Sequence, residues 1–212
     1  MRVMGYDIGV VEALIIINVM VFMITLATDD MQHPCGPYIN WVECTFGLIP
    51  FIALTEPWRL ITSMFVHGGF NHLLYNLLTL FFLGTFLCSL IGEKKFLRLY
   101  FAGGILGGIF VVVSGFLFGT LNMITIGASG AIFAVGGALA ILKPNQPVLL
   151  FFIIPMPMWI AIFGVFLLLS FLPGVSLPGH LGGLVVGVIL GYRFKKKEPL
   201  TGHLYGSYEY SY

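Results

Sequence analysis

LRLYFAGGILGGIFVVVSGFLF, residues 97–118, decides the fold class of this chain. One charge, Arg98, stands at its margin, and nothing after it in the run is ionised at neutral pH. At about 1.5 Å per residue, a helix of about 20 residues matches a hydrocarbon core about 30 Å thick. Five further runs of this kind lie at about 8–27, 69–91, 126–142, 148–172 and 177–192. The whole chain agrees, with 58% hydrophobic and only 9% charged residues and 27 glycines among 212, where soluble domains carry about 25% charge. Its mean hydropathy is +1.00. An all-α membrane protein of six transmembrane helices is expected.

The same numbers exclude several classes. Ten Lys+Arg against nine Asp+Glu leave a net charge of +1, so no basic face invites nucleic acid. Neither G-x-G-x-x-G nor G-x-x-x-x-G-K-[ST] occurs, which removes the common nucleotide-binding loops. The first run ends in Leu26-Ala27-Thr28-Asp29-Asp30 with no small-residue cleavage site, and is read as a retained span rather than a signal peptide.

Orientation follows from the basic residues. Arg2, Lys94, Lys95, Arg98, Lys143, Arg193 and Lys195 to Lys197 fall on one side of six alternating helices, with Arg59 alone opposite. Both termini are therefore expected in the cytoplasm. The segment of about 28–68 lies outside, is too long for a simple connector, and carries Trp41, Phe46, Leu48, Ile49, Phe51, Leu54 and Trp58. The expectation is an amphipathic hairpin lying partly in the outer interface; a small external cap without membrane contact is the alternative. Cys35 and Cys44 belong to this segment and either pair or stay free, while Cys88 sits in the second span as a small hydrophobe. Residues 1–193 form the membrane domain, and 194–212 are read as a basic, Tyr-rich, flexible cytoplasmic tail.

Polar groups inside lipid are costly and thus mark function. Away from the span ends the notable ones are His72 and Asn76 in the second span, Ser129 in the fourth and His180 at the head of the sixth, with His67 just before the second, while Asn18 and the remaining Ser and Thr read as interhelical hydrogen-bonders. Counting from Lys143 and Arg193 puts Ser129 and His180 about 21 and 20 Å above the inner interface, nearly level. His72 and Asn76, counted from Glu93, come out at about 31 and 26 Å. One polar cluster near the outer leaflet is geometrically allowed, reached by water through a cavity open to the outside. Gly183, Gly187 and Gly191 make a small-residue stripe on the face of His180, and Gly130, Ala134, Gly137 and Ala138 offer a partner surface beside Ser129.

A serine hydroxyl becomes a nucleophile when a base takes its proton, and histidine suits that task. Ser129 and His180 form such a pair; with no buried carboxylate to orient the imidazole, it is a dyad rather than a triad. Gly127-Ala128-Ser129-Gly130 sets Ser129 at a helix start, where free N–H groups face developing negative charge. His72 and Asn76, one turn apart, add side-chain donors. The stretch is not G-x-S-x-G, because residue 131 is Ala. By itself it is equally a helix-packing motif.

Trp58-Arg59, His72-x-x-x-Asn76, Gly127-Ala128-Ser129-Gly130 and His180-x-x-Gly183 occur together, in that order and at those spans. In this the chain resembles the rhomboid family of intramembrane serine proteases over about residues 8–193. The resemblance implies a six-helix rhomboid-like bundle of the minimal form, with a partly membrane-embedded first external loop. It implies Ser129 as nucleophile and His180 as general base, with an oxyanion hole of His72, Asn76 and the N–H of Ser129. His67, Gly127, Gly130, Phe133, Gly183, Trp58 and Arg59 would support the site. Transmembrane proteins, cut where small or helix-destabilising residues occur, would be the substrates, in contact with membrane lipids and with no metal or other cofactor.

Phe133 stands where some relatives have tyrosine and Gly179 where alanine is common. A plasma-membrane location with the site opening outward is expected. Pro155 and Pro157 in the fifth span should weaken its helix, so this helix and the second are expected to part for substrate. Other classes fare worse. A transporter would show internal repeats or paired mid-membrane acids, an inactive relative that escorts membrane clients would typically lack Ser or His, and H-E-x-x-H and a central Asp are both absent.

Overall fold

The computed structural model describes residues 2–3, 6–7, 9–28, 35–36, 39–150 and 153–197. Of the tail expected over 194–212, residues 194–197 instead continue the last helix, and the rest lies outside the described residues, as do Asp29 and Asp30. Among the described residues, six apolar helices make the bundle. They are α1 (Val10–Ala27), α2 (Phe70–Ile91), α3 (Glu93–Phe118), α4 (Ser129–Leu142), α5 (Ile160–Leu169) and α6 (Leu177–Lys197). Four are long enough to cross a membrane, whereas α4 and α5 are shorter. Gly92, at φ 80°, ends α2 through its N–H to the Cys88 carbonyl and accepts from the Phe96 N–H as α3 begins. A side chain there would be strained, so the sharp turn depends on glycine.

The short α4 is explained by where it lies. Every residue from Ala131 to Ala140 is buried, so its backbone meets protein rather than lipid and it need not match the bilayer thickness. Small residues bring α3 and α6 against it. A Cβ on Gly183 would fall onto the Gly130 carbonyl, one on Gly187 onto that of Ala134, and one on Gly191 against Ala138. Gly103 of α3 meets Ala134 in the same way. Helices in lipid associate by this kind of close backbone approach.

The fifth span departs from expectation. Residues 147–150 and 154–157 pair as an antiparallel hairpin, Pro147 opposite Pro157, and the helix begins only after it. Pro155 and Pro157 are thus strand residues and do not weaken α5, which removes the reason given for its mobility. Alternation of Pro with apolar residues reads as a helix by hydropathy alone, but proline is compatible with an edge strand and not with a helix interior.

The first external segment is a set of short helical turns, Trp41–Phe46, Pro50–Ile52, Arg59–Thr62 and Ser63–Phe65, rather than the expected hairpin. Cys35 and Cys44 are disulfide-bonded. Asn40 caps the first turn by accepting from the Val42 N–H at 2.7 Å, while its amide donates to the Thr25 carbonyl at the end of α1. The buried Arg59 donates to the carbonyls of Cys44 and Gly47, at 2.8 and 2.7 Å, and pairs with Glu56. Phe51, Leu54 and Trp58 remain exposed.

Candidate active site

The site starts from the backbone before α4. Leu48 and Thr125 exchange N–H and carbonyl bonds at 2.9 and 2.8 Å, and the Gly127 N–H donates to the Ser63 carbonyl at 2.9 Å. The external segment thereby holds the strand that delivers Ser129. Gly127 has φ 114°, a conformation for which glycine is suited, and a Cβ there would sit 2.7 Å from Nε2 of His72. The turn places Ser129 at the first position of α4, where the leading N–H groups have no intrahelical acceptor.

On α6, His180 is 7% exposed, and its Nε2 lies 2.8 Å from the Ser129 hydroxyl. The glycine contacts between α4 and α6 set that distance: Gly183 rests on Gly130, one residue beyond Ser129. Phe133, one turn along α4, stacks on the imidazole with centroids 4.1 Å apart. The other ring nitrogen, Nδ1, lies 2.7 Å from the hydroxyl of Ser170, which follows α5. Sequence reading missed Ser170. An isolated serine at the end of an apolar run carries no signal that it will meet a histidine ten residues later.

A cavity of about 30 Å³ opens beside Ser129 and His180, lined among others by Ser63, Gly104, Gly107, Gly127 and Gly179. Ser170 does not line it. Two serines therefore touch His180, and of these only Ser129 borders the cavity.

The remaining candidates divide. His72 sits over Gly127, and His67, fully buried, meets the His72 ring edge-on at a centroid distance of 5.0 Å. Asn76 is buried and donates to the His72 carbonyl of its own helix at 2.8 Å. Neither His72 nor Asn76 lines the cavity. Arg59 and Trp58 belong to the external segment, where Arg59 ties carbonyls and Trp58 is half exposed.

The fold and site define a helical membrane protein with a serine and a histidine hydrogen-bonded at the head of a buried helix. Residues 54–197 match the model of the Rhomboid domain. The chain belongs to the rhomboid family. It is 31% identical over 168 residues to YdcA of Bacillus subtilis, a candidate rhomboid protease by its name, covering 78% of this chain and 81% of that one. Identity to the Inactive RHOMBOID-like protein 8 of Arabidopsis thaliana is 28% over 206 residues, 84% of this chain and 57% of the relative. With the Rhomboid protease GluP of Bacillus subtilis it is 42% over 88 residues, 42% of this chain and 16% of the relative. The relatives thus include proteases and an inactive protein, and the chain spans only part of some of them.

Proposed function

We propose that this protein is an intramembrane serine endopeptidase that cuts other membrane proteins in or near their transmembrane segments. The observation that carries the reading is the 2.8 Å contact of Ser129 Oγ with His180 Nε2 beside a cavity. Family membership by itself does not decide activity, since an inactive relative is similar along most of this chain. In the proposed reaction Ser129 attacks the scissile carbonyl and its proton passes to His180. The imidazolium then gives that proton to the departing amine, and water releases the acyl group by the same route.

The free N–H of Ser129 and the side chains of His72 and Asn76 would stabilise the oxyanion. His72 supports this by lying against Gly127, two residues before Ser129; Asn76 enters by the family resemblance alone, its amide donating within its own helix to the His72 carbonyl. Substrates with small or helix-destabilising residues at the cut are what the family resemblance implies, and the cavity beside the dyad has room for water. Transmembrane proteins would be the partners and the plasma membrane the location; the cytoplasm as the side of both termini is supported by the distribution of Lys and Arg. Neither a metal nor another cofactor has a part in this scheme.

Cleavage of a single-span substrate by the purified protein in detergent tests the proposal. Wild type should cut it and react with a fluorophosphonate at Ser129, while Ser129→Ala and His180→Ala, folded to the same melting temperature, should do neither. A folded wild type inert to several substrates and to the probe would favour client binding without proteolysis.

A further inference from the structure

His180 is held at both ring nitrogens, and the second contact has a direction. Ser170 Oγ lies 3.0 Å from the Phe166 carbonyl and 2.7 Å from His180 Nδ1. A carbonyl only accepts, and a hydroxyl has one proton to give. That single proton can serve Phe166 or an unprotonated Nδ1, but not both. Both bonds are satisfied only when Nδ1 carries a hydrogen and donates it to Ser170. The Nε2 lone pair is then directed at Ser129, 2.8 Å away.

We propose that Ser170 is a positioning residue that fixes His180 in the tautomer able to accept the Ser129 proton, the task a carboxylate performs in a triad. This rests on the protease reading for its catalytic consequence. A serine bonding back to the carbonyl four residues earlier is common in helices, but that habit accounts for one of its two bonds only. Ser170 is 1% exposed and lies outside the cavity, so it acts through His180 and does not touch substrate. When His180 takes up the Ser129 proton on Nε2, the Nδ1–H bond to Ser170 persists. The imidazolium thus keeps its orientation until the proton leaves for the amine. A neutral hydroxyl supplies this alignment without a charge that would have to be buried at membrane depth.

The test compares Ser170→Thr with Ser170→Val in the full-length chain, two side chains of similar shape that differ in the hydroxyl. Three readouts are taken: kcat and KM on a single-span substrate, the rate of fluorophosphonate labelling of Ser129, and the ¹⁵N shifts of His180. The His180 signals are assigned by their loss in His180→Ala. Wild type and Ser170→Thr should show a protonated Nδ1. Ser170→Val should lose that signature, with labelling slowed and kcat lowered about 10- to 100-fold at similar KM, a part of the ~10²- to 10⁴-fold that acid–base catalysis supplies. A wild-type ring protonated at Nε2 would overturn the proposal. So would a folded Ser170→Val with unchanged tautomer, labelling and kcat. The ¹⁵N signature reads in an inert protein too, so failure of the protease reading and failure of the Ser170 assignment are separable.

Discussion

Phe133 lies flat against His180, ring centroids 4.1 Å apart and planes inclined by 16°. The two belong to different helices, α4 and α6, and the stack closes one face of an imidazole whose nitrogens are taken by Ser129 and Ser170. Two hydrogen bonds in the ring plane leave tilting about their common line free, and a stacked ring removes that freedom. Phe133→Ala should therefore lower kcat by roughly 2- to 10-fold, the worth of an aromatic pair at about 0.5–1.5 kcal/mol. Phe133→Tyr keeps the face and should stay near wild type. Substrate-cleavage rates of the two variants check this, and full activity in Phe133→Ala would dismiss the stack as incidental.

Gly183 tests the helix contact beneath the dyad. A methyl there meets the Gly130 carbonyl, backbone that cannot rotate away. Gly183→Ala should cost about 1–3 kcal/mol or more by overpacking and separate Ser129 from His180, so both melting temperature and probe labelling fall. Gly69, whose Cβ would find open space at an extended φ, is the control, and Gly69→Ala should leave the melting temperature near that of wild type.

Arg59 is predicted to matter for stability rather than chemistry. Its guanidinium serves the carbonyls of Cys44 and Gly47 together with Glu56. Arg59→Met leaves those groups unpaired, and a lost hydrogen bond to a charged donor is worth about 1.5–3 kcal/mol. Arg59→Lys should rescue only in part, because an ammonium lacks the planar fork. Thermal unfolding in detergent should show wild type above Arg59→Lys above Arg59→Met.

The bridge between Cys35 and Cys44 makes a prediction about sidedness. On intact cells, an impermeant maleimide should label these thiols only after reduction. Labelling that also requires opening the cytoplasmic side would reverse the proposed orientation. Because the bridge closes a short loop, Cys44→Ser should destabilise the folded chain by about 2–3 kcal/mol.

Much of this arrangement is legible in the amino-acid sequence. Ser129 and His180 emerged from depth counting, because a polar group in an apolar run stands out and rise per residue is constant in a helix. The glycines of α6 were equally visible, since small residues every fourth position mark one face. The hairpin over 147–157 is not legible in the fifth apolar run, because hydropathy reports burial in apolar surroundings and not backbone type, and two strands look like half a helix when both are apolar. The external segment was recognised as too apolar for a loop, yet its turns depend on Asn40, Arg59 and the Thr125 backbone, partners far apart in sequence.

The sequence by itself determined that the chain lives in a membrane, how many helices cross or enter it, and which polar residues are costly enough to require a purpose. Those are properties of composition and spacing along one chain, summed locally. Only the tertiary structure decided what each costly group faces. Ser170 shows the difference: its bond to Phe166 follows from helix geometry and is local, but its bond to His180 exists because the end of α5 lies beside the start of α6. Hydrogen bonds act over about 3 Å, so which atoms make them is settled by packing, and packing is settled by small residues that let three helices approach closely enough to put the atoms there.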